Sequence, residues 1–381
     1  MNAVQFGAGN IGRGFLGQLL FESGYRTTFI EANPALVGAL NRRGEYPLRL
    51  ASDTGIQDLT IGSVRAIDAR DAEAVAAALA EADLAGTSVG VDVLPRVAPT
   101  LAAGLSARAA RGGGPLNVLL CENQWHAAPL MRDLLLPHLA PPARDFLDTH
   151  IGLVETVIGR MVPVQTDAVR AEDPLLIVAE PYKELPVARA MLRGPAPPLV
   201  GLIAADDFDA YEARKLFLHN ASHAALAYLG WLRGHEFIWQ CAEDRDITSV
   251  CAAALSEASQ ALVAEYGFAL DALRAFTDDL MRRFANKALG DTVARVAADP
   301  LRKLRPNDRL VGAANLCLKH GITPAALAQV IVAALAYDNP DDAKAMELQE
   351  KRRATGDAAT LRDVAGVASD SQLASLIRQR L

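Results

Sequence analysis

The apolar positions of this chain fall into two regimes. In the first half they form short strand-like runs that alternate with helical stretches and are punctuated by glycine. Met1–Phe6 is a short apolar strand running directly into Gly7, Gly9, Gly12 and Gly14; Phe15–Phe21 continues as an amphipathic helix, and Tyr25–Ile30 reads as a second strand. Ala85–Val89 ends at Gly90, and Leu116–Leu120 ends at Cys121, Glu122 and Asn123. Between them a helix runs from about Leu94 to Ala110, closed by Arg111 and Gly112–Gly114. Val162–Val164 and Leu175–Val178 read as further strands. From about residue 205 the periodicity is helical only, as in Asp209–Arg233, Ile247–Tyr266, Leu270–Phe284 and Pro324–Tyr337. The alternating half predicts a doubly wound parallel sheet. Functional residues in such sheets lie at the carboxyl ends of strands, where Gly90 and Asn123 fall. The proline-rich segment Arg193–Pro198 is the natural linker. The expected organisation is α/β, with a doubly wound domain over 1–196 and a mostly α-helical domain over 197–381.

The first strand, turn, helix and second strand carry the G-x-G-x-x-G fingerprint in its required context, with Glu31 at the end of the second strand. In the turn Gly7-Ala8-Gly9-Asn10-Ile11-Gly12, Gly7 permits the tight bend and Gly9 lets backbone approach a pyrophosphate. Gly12 allows close helix–strand packing, and the helix N-terminus faces the phosphates. Glu31 would accept from both ribose hydroxyls and repel a 2′-phosphate, so NAD rather than NADP is expected. A Gly-rich turn serving packing alone would leave Glu31 unexplained.

The segment Glu212–His223 concentrates polar chemistry on an otherwise apolar helix. At about 100° per residue from Lys215, Glu212 falls near 60°, His223 near 80° and Asn220 near 140°, with His219 at about 40°. The other directions are filled by Leu216, Phe217, Leu218, Ala221 and Ala224–Ala227. A helix hydrophobic almost all round is buried, and burying these polar groups costs several kcal/mol unless they are paired or used. Burial disfavours the charged amine, which makes Lys215 a candidate general base. A structural ion pair inside a helical core is the alternative on spacing alone.

Composition narrows the class. A chain of 381 residues supports two domains with full cores, and its net charge of −7, with no long basic run, argues against general nucleic-acid affinity. Cys121, Cys241, Cys251 and Cys317 lie far apart with no C-x-x-C spacing, which suits free thiols and no zinc site. The first strand begins at residue 2 and the longest apolar run, Ala325–Tyr337, is too short to span a bilayer. A cytoplasmic protein without membrane partners is therefore expected. Against the acidic background, Arg295, Arg302, Lys303, Arg305 and Arg309 cluster, either as a solvated basic face or as a site for an anion such as phosphate.

Several separated motifs, in order and nearly end to end, resemble the polyol-specific long-chain dehydrogenases, the mannitol dehydrogenase family. They are Phe6–Phe15, Cys121–Asn123, Lys215 with Asn220 and His223, Arg214–Phe217, Ala227–Gly230, Tyr266–Phe268, Asp299–Leu304 and Asp308–Leu310. The resemblance implies a Rossmann domain with a helical substrate domain and NAD-linked, metal-independent hydride transfer. It is closest to the phosphate-using members, which implies interconversion of D-mannitol 1-phosphate and D-fructose 6-phosphate. It casts Lys215 as general base, Asn123 and Asn220 as donors to the oxygen that becomes the carbonyl, and His223 as the residue positioning substrate and lysine. Glu212 would relay the proton outward. Gly7–Gly12, Glu31 and Gly90 would hold the cofactor, while Arg295, Arg302 and Lys303 would hold the substrate. On a helix Arg302 and Lys303 diverge by about 100°, so both should not reach one phosphate face. One departure is Gly159 in Ile158–Pro163, where family members usually carry Asp. The same chemistry on an unphosphorylated polyol or a hexuronate such as tagaturonate remains the competing reading. A non-catalytic NAD-binding regulator is the more distant one.

Overall fold

A computed structural model describes residues 1–381, which form two compact units, Met1–Tyr211 and Glu212–Leu381. The first unit is built on six parallel strands: β1 (Asn2–Phe6), β2 (Arg26–Glu31), β3 (Val64–Asp68), β4 (Leu84–Thr87), β5 (Leu116–Leu120) and β6 (Ile151–Glu155). Their order across the sheet is β3-β2-β1-β4-β5-β6. The expected Rossmann-type doubly wound sheet is therefore present.

These strands are short apolar runs because both faces are covered. Ala3 and Leu119 pack on one side with Phe15, Leu16 and Leu19, while Val4, Phe6 and Val118 pack on the other with Val97, Leu101 and Leu105. The helix Leu94–Ala110 has the bounds its periodicity predicts. Strand order reverses between β1 and β4, so the chain leaves their neighbouring carboxyl ends toward opposite sides of the sheet, and the crevice that such sheets use for ligands lies there. There the turn after β1 meets the turn after β4, where Ser88 N donates to Phe6 O at 3.0 Å.

A three-stranded sheet flanks the first. Tyr46–Ser52 pairs antiparallel with Gly55–Ile61 and parallel with Ile177–Ala179. The expected strand at Val162–Val164 does not form. Pro163 has no amide to give a ladder, and its carbonyl instead accepts from the side chains of Asn10 and Gln165. The proline-rich segment is part of the first unit rather than the divide between units. Leu185–Ala188 and Leu202–Ala205 pair on either side of it, and the Asn117 carboxamide both donates to Arg193 O (3.1 Å) and accepts from Arg193 N (2.8 Å). The contact boundary consequently falls after Tyr211.

The second unit is helical. Its hub, Arg245–Tyr266, packs against Ala221–Leu232, Val311–Lys319 and Ala325–Leu335. By length and composition this hub helix could cross a membrane. Its apolar residues Ile247, Cys251, Ala254, Leu255, Ala258 and Leu262 recur every three to four positions and are buried on its neighbours. Alanines 224, 225 and 227 let those helices approach closely.

The turn after β1 sets a testable constraint on the first unit. A Cβ on Gly12 would lie 2.0 Å from the carbonyl oxygen of Gly7, a backbone atom that cannot swing aside. Overpacking of this kind costs about 1–3 kcal/mol or more. Gly12→Ala should therefore lower the thermal midpoint of the first unit by roughly 3–10 °C, measured by circular dichroism; an unchanged midpoint would show that the turn can open.

Candidate active site

The turn between β1 and the first helix is organised from below and from the side. Gly7 adopts φ +89° and donates its amide to Ile30 O at 2.9 Å, which bends the chain over the end of β2. The buried Arg13 donates from Nε to Ala8 O and from Nη1 to Leu175 O, both at 2.6 Å, and Tyr46 Oη donates to Arg13 O at 2.7 Å. Burial lowers the Arg13 pKa, opposed by Tyr46 and Glu31. Glu31 closes β2: its Oε2 accepts from Ala8 N (3.0 Å) and its Oε1 from Asn33 N (2.9 Å). The carboxylate thus braces the turn while each oxygen keeps a second lone pair.

Gly9 is exposed at the tip, and a Cβ there would meet no protein atom within 4 Å. Packing does not demand glycine at this point, and its absent side chain leaves the backbone open to close approach by a ligand. Asn10 and Ile11 are partly exposed beside it, and Gly90 takes φ +92° at the turn after β4. A dinucleotide fits this set of residues. Gly7–Gly12 would supply backbone for its pyrophosphate and Glu31 the acceptor for its ribose.

Glu122 was not singled out by sequence reasoning, yet it ties the carboxyl ends of two strands together. It is buried, accepting from Thr87 Oγ1 (2.7 Å) and Val89 N (3.0 Å), and burial raises its pKa against those bonds. It thereby fixes the approach to Gly90 and presents Asn123, which is exposed just beyond β5. Gly159 has a local explanation too: a Cβ there would sit 2.8 Å from the Tyr182 ring. Tyr182 fills the space an aspartate side chain would need.

In the second unit, the helical stretch that holds Lys215 is not a regular α-helix. Phe208–Arg214 is α-helical, Lys215–Asn220 is a π-helical turn in which Ala221 N donates to Leu216 O, and Ala221–Leu232 resumes as α. A turn closed by i→i+5 bonds is wider and advances fewer than 100° per residue. Asn220 and His223 therefore swing toward the azimuth of Lys215, closer than regular spacing predicts. Such turns often mark functional sites.

Lys215 is largely enclosed, and its pKa is lowered to about 8, first by burial and then by Arg309 and Arg302, against the opposing pull of Glu212 and Asp308. His223 Nε2 lies 3.1 Å from Asp291 Oδ2, and its ring stacks on Phe284 at 4.7 Å and 20°. Burial lowers its pKa, partly offset by Asp291. His219 is buried with its ring edge-on to Phe284 at 5.7 Å. Burial and the nearby Arg283 hold it neutral, well below the usual imidazole range.

The five clustered cations do not form one open basic face. Arg295 is exposed but forks onto Asp291, with Nε and Nη2 each at 2.6 Å. Arg302, partly exposed, lies between Asp299 (3.1 Å) and Asp308 (3.6 Å), while Arg305 is exposed. Lys303 is buried and donates to Ala298 O, and burial with Arg309 and Arg302 lowers its pKa to about 7. It does not share Arg302's partly exposed setting. Arg309 is the inner member, buried and held by Asp308 at 2.8 Å. Thus Lys215, Glu212, Arg302, Lys303 and Arg309 form one electrostatic neighbourhood, with Arg295, Asp291 and His223 as a connected chain beside it. Asp291 is the polar residue that sequence reasoning missed, although its spacing four before Arg295 was a usable sign. No group of His, Cys, Asp and Glu side chains is arranged to hold a metal ion.

A parallel sheet of this order with its glycine turn, joined to a helical unit carrying a lysine of depressed pKa, is the architecture of a two-domain dehydrogenase. Residues 1–200 match the mannitol dehydrogenase Rossmann domain and residues 207–380 the mannitol dehydrogenase C-terminal domain. The chain belongs to the mannitol dehydrogenase family of oxidoreductases. It is 37% identical over 380 residues to a mannitol-1-phosphate 5-dehydrogenase of Brevibacillus brevis, covering 100% of this chain and 97% of that one. Identity to the Bacillus licheniformis protein of the same name is 37% over 382 residues, with 100% of both chains covered. Its fold is similar to that of Pseudomonas fluorescens mannitol 2-dehydrogenase, solved with NAD and D-mannitol, at TM-score 0.75 and 19% identity over 100% of this chain and 91% of that one. A substrate-free D-sorbitol dehydrogenase is similar at TM-score 0.81 and 16% identity, over 99% and 91%.

The charge arrangement around Lys215 has a measurable consequence. Removing a neighbouring cation relieves repulsion on the ammonium, so Arg309→Leu should move the Lys215 pKa upward from about 8. Carbon-13 NMR of methylated lysines, assigned against Lys215→Met, reads this directly. A titration that stays in place would mean that burial alone sets the value.

Proposed function

We propose that this enzyme interconverts D-mannitol 1-phosphate and D-fructose 6-phosphate with NAD as cofactor. The observation that carries the reading is Lys215, an amine of pKa about 8 set among Arg302 and Arg309. The full-length likeness to proteins named mannitol-1-phosphate 5-dehydrogenase supports the substrate, and the glycine turn with Glu31 supports the cofactor.

When bound, NAD supplies the acceptor for hydride in oxidation and, as NADH, its donor in reduction. Lys215 removes the hydroxyl proton of the polyol during oxidation and returns it to the ketone oxygen during reduction. A base of pKa near 8 is matched to both directions at near-neutral pH. Asn220, with Asn123 from the first unit assigned the same task, donates hydrogen bonds to the reacting oxygen. Neutral amides stabilise the charge developing there without titrating. His223 orients the hydroxyl and the lysine, and Glu212, one turn before Lys215, passes the proton outward. Arg302 receives the substrate phosphate because a guanidinium pairs bidentately with phosphate oxygens; Arg309 adds positive charge behind it, and Lys303 adds its own when protonated. Arg295 contributes from the Asp291 side. The same cations would accept a hexuronate carboxylate, which is the second reading.

Lys215→Met should fold and still bind NADH, seen as cofactor fluorescence, while turnover falls about 10²–10⁴-fold or more. In the native enzyme the sign of the pH dependence differs by direction. Oxidation needs the neutral amine, so its kcat/KM should rise with pH through about 8, and reduction needs the ammonium and should fall over the same range. Near-normal turnover of Lys215→Met, or a profile flat through pH 8, would remove the base assignment.

The phosphate contact is tested separately. A charge-assisted pair is worth roughly 1.5–3 kcal/mol, about ten- to a hundredfold. Arg302→Ala should lower the ratio of kcat/KM for fructose 6-phosphate over fructose by that factor, mainly through KM. An unchanged ratio would place the phosphate elsewhere or leave the substrate without one.

A further inference from the structure

The chain Arg295–Asp291–His223 carries an inference beyond the roles above, resting on the reading in which His223 orients the reacting hydroxyl. Asp291 is buried at 7% exposure, and both its oxygens are engaged: Oδ1 accepts from Arg295 Nε (2.6 Å), and Oδ2 accepts from Arg295 Nη2 (2.6 Å) and faces His223 Nε2 (3.1 Å). Its backbone is pinned as well, since Asp291 O accepts from Ile238 N at 2.9 Å. An ionised carboxylate only accepts hydrogen bonds, so the imidazole nitrogen facing it must carry the proton. Phe284 stacks on the ring at 4.7 Å and 20° and so fixes the plane in which Nε2 meets Asp291.

We propose that Asp291 is a positioning residue that locks His223 in the Nε2–H tautomer, leaving Nδ1 as a standing hydrogen-bond acceptor. His223 then receives a hydrogen bond from the substrate hydroxyl or the lysine ammonium and does not itself donate or relay a proton. Arg295, forked onto both carboxylate oxygens, keeps Asp291 ionised and aimed. The charge environment agrees. The groups around the His223 ring are Asp291, Arg295, Arg309 and His219; burial disfavours the imidazolium, and Asp291 itself is held down to about 2 by His223 and Arg295 despite its burial. A neutral ring beside an ionised carboxylate is the state these charges select. The arrangement follows the general rule that the bond made by one ring nitrogen decides what the other can do.

The test uses the full-length enzyme labelled with nitrogen-15 histidine. Long-range proton–nitrogen spectra, with His223 assigned by comparison with His223→Gln, report which ring nitrogen is protonated without substrate or turnover. The expected result is a single neutral Nε2–H pattern from about pH 6 to 9. In Asp291→Asn that pattern should give way to a mixture or to Nδ1–H, kcat should fall about ten- to a hundredfold, and KM should change little; Asp291→Glu should restore both the pattern and part of kcat. An Nδ1–H or doubly protonated His223 in the native enzyme would overturn the inference even if Asp291→Asn did not fold. So would an Asp291→Asn spectrum and kcat like those of the native protein. Because the spectra need no substrate, a normal tautomer with no polyol-phosphate turnover would instead count against the functional reading.

Discussion

Everything distinctive in the second unit follows from one constraint: a lysine amine is kept among other cations where water is scarce. Lys215, Arg302, Lys303 and Arg309 share one neighbourhood, and its carboxylates Asp308, Asp299 and Glu212 only partly compensate. Packing like charges in a poorly solvated place costs stability that an apolar core would not. The arrangement is intelligible if an anion completes it. The cost then becomes a pKa suited to proton transfer and an affinity for a negatively charged group. The π turn belongs to the same design, because a wider turn brings Asn220 and His223 round toward the amine that a regular helix would hold apart from them.

The first unit solves a different problem, holding a bare backbone turn open to solvent without letting it relax. The turn is held by the side chains and backbone around it. Arg13 holds Ala8 from below, Glu31 grips the Ala8 amide from the side, and the Gly7 carbonyl forbids a side chain at Gly12. Glu122 does the equivalent for the turn after β4. Buried arginines and glutamates are costly unless every polar atom is used. Here they are spent on backbone atoms at the crevice, where a rigid turn limits the ordering left for a ligand to impose.

What the sequence made legible and what it hid divide along physical lines. Leu116–Leu120, Leu94–Ala110 and Leu270–Phe284 have the bounds that their apolar periodicity predicts, because burial alone decides them. Val162–Val164 looked equally apolar, but one missing amide at Pro163 was enough to prevent a ladder. The π turn was invisible, since it depends on which carbonyl an amide chooses rather than on side-chain type. Arg302 and Lys303 were expected to diverge, yet their spacing could not say which of them would turn inward, and it is Lys303. Asp291 was passed over although it lies four positions before Arg295, because nothing in the sequence links that pair to His223. Its partners become visible only when His223 is brought next to it by the fold.

The central claim is that the cationic neighbourhood of Lys215 serves hydride transfer to and from a phosphorylated sugar. The most direct test is the initial rate of NADH and NADPH oxidation by the purified enzyme, run side by side with fructose 6-phosphate, fructose and tagaturonate. The account predicts efficient turnover of fructose 6-phosphate with NADH, only weak turnover with NADPH, and little with either unphosphorylated substrate. Comparable kcat/KM for fructose or tagaturonate would contradict it.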